Sequence, residues 1–154
     1  MSVKTPRPFA ELAVTSNFSF LRGGSHPQEL VATAARLGHA AIGIADRNTL
    51  AGAVRAHVAA KEQKIRLVVG VRLVLTEGFE ALCFPTDRAA YGRLTKLLTI
   101  GNRRAPKGEC RLFFDDLSVL GSGCRFIAMP PYDFGAGFEG HLRRLAGNFP
   151  GVTF

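Results

Sequence analysis

The run AAIGIA at residues 40–45 has no polar side chain and is followed at once by Asp46, Arg47, Asn48 and Thr49. A short continuous stretch of small and apolar residues is the signature of a strand buried on both faces. Such strands belong to α/β proteins, whose chemistry gathers just past the strand ends. The stretch Glu11 to Leu30, ELAVTSNFSFLRGGSHPQEL, repeats that logic: a strand, a polar and aromatic turn, then a helix.

The rest of the chain alternates in the same way. Phe9 to Val14 reads as the first strand. Ser25 and Gln28 have capping-box spacing, with Pro27 in the first helical turn. Leu30, Val31, Ala34 and Leu37 form an apolar stripe at helical spacing, and Gly38 stops the helix. An alanine-rich helix is expected over Leu50 to Gln63, then a strand over Arg66 to Leu75, where Gly70 allows a bulge or a close approach. Glu77 and Gly78 turn the chain into a hairpin strand, Glu80 to Phe84. A helix over Thr86 to Gly101 points Tyr91, Leu94, Leu97 and Leu98 inward. It is followed by a basic loop, Asn102 to Glu109. A short helix over Phe113 to Leu120, a buried strand over Cys124 to Met129 and a last helix over Phe138 to Asn148 complete the pattern, with PGVTF closing the chain. Residues 1–8 read as a flexible leader and 9–154 as one domain.

The 154 residues hold about half the elements of a closed (β/α) barrel, which takes roughly 200 residues or more. The fold class is therefore α/β, a partial (β/α) barrel with a mostly parallel sheet flanked by helices. Its raw sheet edge invites a partner or self-association. No apolar run is long enough to span a membrane. Three cysteines, at 83, 110 and 124, show no CxxC spacing, which fits a reducing cytoplasm and a thiol packing role. Twenty Lys and Arg against twelve Asp and Glu give a formal charge of +8, which attracts polyanions. Arg103, Arg104 and Lys107 crowd one segment and are candidates for touching DNA phosphates or docking another domain. The four histidines, 26, 39, 57 and 141, show neither HxH nor HExxH spacing and read as surface or capping residues. Ser16 and Ser19 have no His and Asp partners at catalytic spacing.

The segments SNFSFLRGGSHPQEL, IADRNTLAG with RAHVAAKE, RLVVGVRL and LTKLLTIGNRRAPKGECRL occur in an order that resembles the PHP domain (polymerase and histidinol phosphatase) of bacterial C-family DNA polymerases. They are most similar to the error-prone branch, which serves translesion synthesis. The resemblance covers residues 9–120 well and 121–154 loosely, and implies a domain truncated relative to the full family domain. It implies a barrel holding two or three divalent ions, Zn, Mn or Mg, on His, Asp and Glu at strand ends. Carried over position by position, that ligand set is broken. Ala13 and Thr15 stand at the His-x-His motif, and neither can supply an imidazole nitrogen. Asp46 keeps its place in Asp-His, but Arg47 follows it, a permanent cation. Arg72 stands where a Glu is implied. No cofactor is therefore expected. Asp46 should pair with Arg47 or Arg72, or cap the helix near Leu50.

The resemblance further implies that DNA synthesis, the nucleotidyltransferase activity of the parent family, resides elsewhere in a much longer polypeptide. This chain alone is then non-catalytic, and its partners are the rest of a C-family polymerase and, through it, DNA. Two alternatives stand beside that reading. One is an active phosphoesterase with substitute ligands, such as Asp46, His26 and a residue of a second chain. The other is a basic nucleic-acid-binding module.

Overall fold

The computed structural model describes residues 8–132 and 135–149. The leader expected over 1–8, apart from Pro8, and the terminal 150–154 lie outside them. Five strands and five helices follow in order: β1 Ala10–Val14, α1 Pro27–Arg36, β2 Ala41–Arg47, α2 Ala53–Gln63, β3 Arg66–Val74, β4 Glu80–Pro85, α3 Arg88–Arg104, α4 Phe114–Leu120, β5 Cys124–Met129 and α5 Ala136–Asn148. The strands form one half-barrel sheet in the order β1-β2-β3-β4-β5. β1, β2 and β3 are parallel, as the alternation of strands and helices requires. The tight turn at Glu77–Gly78 then reverses the chain, so β4 lies antiparallel to β3, and β5 antiparallel to β4. The parallel character is thus confined to the first three strands.

Side chains alternate across a strand, so each strand feeds two faces. One face of the sheet carries all the helices whose packing is seen. α1 and α2 bury Val31, Ala34, Ala56 and Ala60 against Ile42 and Ile44. α3, α4 and α5 bury Leu94, Leu97, Leu117 and Leu145 against Val71, Leu73, Cys83 and Phe126. The opposite, concave face has a smaller apolar floor of Ala45, Leu82 and Phe84, with Leu12, Ala13, Val68, Ile127 and Met129 around it. Gly70 provides the close approach here: a Cβ on it would lie 2.3 Å from the Phe84 ring.

Several boundaries differ from expectation, each for a local reason. The N-cap of α1 is His26, whose backbone N–H donates to the Glu29 carboxylate at 2.8 Å, one residue later than the Ser25 and Gln28 spacing suggests. Leu37 is past the end of α1 as its C-cap and is 65% exposed, outside the stripe. β2 runs on through Asp46 and Arg47, so both belong to the strand end rather than the loop. α2 begins at Ala53 because Thr49 to Gly52 form a turn, in which the Thr49 hydroxyl accepts from the Ala51 N–H at 3.1 Å. α3, capped by Asp87 accepting from the Ala90 N–H at 2.7 Å, continues a turn beyond Gly101. Arg103 and Arg104 therefore sit on a helix rather than a loop. Tyr91, expected inward, is exposed.

Candidate functional site

The C-terminal ends of β1, β2 and β3 bring the sequence-derived site positions together, but they divide them between the two faces. Asp46 is two residues beyond Ile44 and shares its helix-side face. Arg47, one residue on, shares the concave face with Ala45. Arg72 is directly across from Arg47 in the β2–β3 register, and Ala13 borders the same concave floor. The one carboxylate among these positions thus points away from the other three.

Asp46 is 1% exposed, and its carboxylate is fully engaged. Oδ1 accepts from the Ser16 backbone N–H at 2.8 Å and from the Ser19 hydroxyl at 2.7 Å. Oδ2 accepts from the Ser16 hydroxyl at 2.7 Å. The Ser19 oxygen in turn accepts from the Arg47 N–H at 2.9 Å, and the Ser16 oxygen from the Phe18 N–H at 3.2 Å. Burying a carboxylate is costly unless hydrogen bonds replace its water, and the turn after β1 supplies them. Asp46 therefore neither pairs with Arg47 or Arg72 nor caps α2. It anchors the Ser16–Gly24 turn. Gly23 in that turn packs so closely that a Cβ would lie 2.4 Å from the Ser16 carbonyl oxygen. The turn displays Phe20 and Leu21 to solvent, 84% and 88% exposed.

On the concave face, Glu80 of β4 lies between the two arginines. Its Oε1 is 3.2 Å from Arg47 Nη1 and its Oε2 is 3.8 Å from Arg72 Nη1. The Arg72 Nε is buried and has no hydrogen-bond acceptor. Asn48 joins β2 to β3 beyond the last strand pair: its side chain accepts from the Val74 N–H at 2.9 Å and donates to the Val74 carbonyl at 3.1 Å. A cleft of about 790 Å³ opens at these strand ends. Phe18, Arg47, Asn48, Thr76 and Lys107 are among the residues lining it.

The basic segment is divided. Lys107 faces Arg47 across the cleft, but Arg103 and Arg104 do not line it. Arg104 forks onto Asp116, with Nη2 to Oδ1 at 2.8 Å and a short Nη1 to Oδ2 contact, and its guanidinium is 5.4 Å from the Phe113 ring centroid. The Arg104 hydrogen bonds hold the Asp116 carboxyl below the usual aspartate value. Among the four histidines, His26 caps α1 and His57 is exposed on α2. The His39 ring meets Phe9 edge-on at 4.9 Å, and the His141 ring stacks on Phe114 at 5.9 Å. Cys83 and Cys124 pack in the helix-side core. A hydrogen bond to Cys124, reinforced by burial, raises the Cys83 thiol well above the ordinary cysteine range. Among the described residues, no three His, Cys, Asp or Glu side chains gather into a metal-binding group. No described helix is long and apolar enough to cross a membrane.

Sequence reasoning named Asp46 but missed what holds it. Ser16 and Ser19 had been set aside for want of a catalytic partner, and Glu80 was read only as a strand residue. Their hydroxyl and carboxyl groups sit beside strand ends that only the register brings together.

The profile of the PHP domain matches residues 11–148. The chain belongs to the PHP domain family. It is 52% identical over 150 residues to an error-prone DNA polymerase of Caulobacter vibrioides, a match covering 97% of this chain and 14% of that protein. It is 53% identical over 133 residues to an error-prone DNA polymerase of Rhodopseudomonas palustris, covering 83% of this chain and 12% of that one. The PHP chain therefore spans only a small part of the polymerases it matches. Among solved structures it is similar to a Bifidobacterium adolescentis protein bearing a provisional metal-dependent phosphoesterase name. The TM-score is 0.70 at 14% identity, over 96% of this chain and 77% of that one. An amidohydrolase from Chromobacterium violaceum gives a TM-score of 0.63 at 16% identity, over 93% and 75% of the two chains. At such identities these two structures establish the shared PHP-type fold.

Proposed function

We propose that this chain is a PHP domain of an error-prone DNA polymerase, with a structural and docking role in translesion DNA synthesis and no phosphoester hydrolysis of its own. The observation that carries the reading is the state of Asp46. Both its oxygens are occupied by Ser16 and Ser19, and it faces away from the concave positions Ala13, Arg47 and Arg72. A divalent ion needs about three protein ligands with free lone pairs. The residues present do not fit one, since the concave positions offer a methyl group and two guanidinium cations. The same residues suit a scaffold: Asp46 fixes the turn after β1, and Glu80 ties Arg47 to Arg72.

The similarity to error-prone polymerases over nearly the whole chain supports the polymerase context. The polymerisation chemistry belongs to the remainder of such a protein, and DNA is reached through it. The site is expected to work without Zn, Mn or Mg, in the cytoplasm where replication enzymes act. The test is hydrolysis of p-nitrophenyl phosphate with and without added manganese or zinc, for the wild type and Asp46→Ala. The expected result is no metal-stimulated turnover. Turnover that metal stimulates and Asp46→Ala abolishes overturns the reading in favour of a phosphoesterase with substitute ligands.

A further inference from the structure

The concave face of the sheet has a surplus of cation around an apolar floor. Alternation along β2 to β5 places Arg47, Arg66, Arg72 and Arg125 on it, against Glu80. Arg47 and Arg72 are nearest neighbours in the register, an arrangement that like charges disfavour. Glu80 offsets only part of that repulsion, at 3.2 Å from one guanidinium and 3.8 Å from the other. The Arg72 Nε is buried with no acceptor, which leaves the desolvation cost of a charged donor uncompensated. Arg66 and Arg125 lie at the other end of the face, and between the two cationic ends are Val68, Phe84, Ile127 and Met129.

A second anion placed beside Arg72 would resolve the imbalance. Its carrier must also suit the apolar floor, which a phosphate-rich nucleic acid backbone does not. We infer that this concave face, centred on Arg47 and Arg72, is a docking site for an acidic polypeptide segment that sets a carboxylate on the unpaired Arg72 fork and apolar side chains on the floor. An extended segment alternating the two residue kinds fits the geometry, because its side chains alternate as those of the sheet do. The inference rests on the docking role proposed above and names the chemistry of the partner.

The test uses short fluorescent peptides as probes: one alternating valine and aspartate, and its counterpart with asparagine for aspartate. A single-stranded oligonucleotide of similar length is the third probe. Binding is read by fluorescence anisotropy. The aspartate peptide should bind about tenfold more tightly than the asparagine one, the scale of losing a charge pair at an interface. Arg72→Met should weaken the aspartate peptide by about tenfold, and Arg72→Lys by less, since lysine keeps the charge and loses the fork. Arg72→Met should also raise the melting temperature of the free chain, because it removes an unsatisfied donor and one of two adjacent like charges. A merely structural arginine would lower it. Equal affinity for the two peptides, or aspartate-peptide affinity unaffected by Arg72→Met, overturns the inference. Arg72-dependent binding of the oligonucleotide without that of the peptide also overturns it, in favour of nucleic acid. Metal-stimulated phosphatase activity would instead overturn the functional reading and leave these peptide results standing.

Discussion

Ser16 holds Asp46 twice, through its backbone N–H at 2.8 Å and its hydroxyl at 2.7 Å. The pair joins the turn after β1 to the end of β2 across 30 residues of sequence. Hydrogen bonds to a buried charged group contribute roughly 1.5–3 kcal/mol each. Ser16→Ala is expected to cost about 2 kcal/mol and Asp46→Ala about 3 kcal/mol or more in urea unfolding, because the second change strands several donors. The double variant should be less destabilised than the sum, with a coupling of about 1 kcal/mol or more. Added manganese or zinc should leave the wild-type midpoint unchanged. A metal-induced rise absent from Asp46→Ala would mean that the carboxylate is a ligand.

Arg104 and Asp116 make the second anchor, between the last turn of α3 and the first turn of α4. Arg104 lowers the proton affinity of Asp116, so the folded state binds that proton more weakly than the unfolded chain does. The linked stability is present in full above the ordinary aspartate value, about 3.9, and is lost as the pH falls below it through the lowered folded value. Asp116→Asn should therefore flatten the acid limb of a stability–pH profile and leave the slope between neutral and mildly acidic pH unchanged. Arg103→Ala, which removes an exposed neighbour on the same helix, should change stability by less than about 0.5 kcal/mol.

The alternation of elements was legible because its signals are local. The AAIGIA run, the Glu77–Gly78 turn and the periodic Leu94, Leu97 and Leu98 each speak through a few adjacent residues. The positions of Ala13, Arg47 and Arg72 at neighbouring strand ends followed from the family resemblance. What stayed hidden depended on facing and register. Asp46 and Arg47 are adjacent in sequence and opposite in space, which a strand end decides and a loop would not. Arg104 looked like a free docking charge because its partner, Asp116, is 12 residues away on another helix. Ser16 and Ser19 carried no motif at all, since a hydroxyl that satisfies a buried carboxylate needs no fixed spacing from it.

Gly70 tests the packing of the concave floor. A methyl group there would meet the Phe84 ring at 2.3 Å, inside any van der Waals contact. Gly70→Ala should destabilise the fold by about 1–3 kcal/mol, as overpacking does. Adding Phe84→Leu should recover part of that loss, since a smaller side chain vacates the space. Strict additivity of the two changes, measured in the same unfolding series, would show that the ring does not set the constraint.

Asn48 offers the sharpest test of how the strand ends are held. Its φ of 50° is in the left-handed region, which asparagine enters more readily than most residues. Its side-chain oxygen faces the Val74 N–H and its nitrogen the Val74 carbonyl, so donor and acceptor cannot be exchanged. Asn48→Asp keeps the shape and backbone preference but sets an oxygen against the Val74 carbonyl. It should cost about 2 kcal/mol, from one lost bond and one unsatisfied acceptor. Asn48→Gly relieves the backbone and loses both bonds, so it should fall in a similar range. Amide exchange at Val74 reads the contact directly: faster exchange in both variants is expected, and unchanged protection would mean that the strand end is held by the Asn48 backbone bond to the Arg72 carbonyl alone.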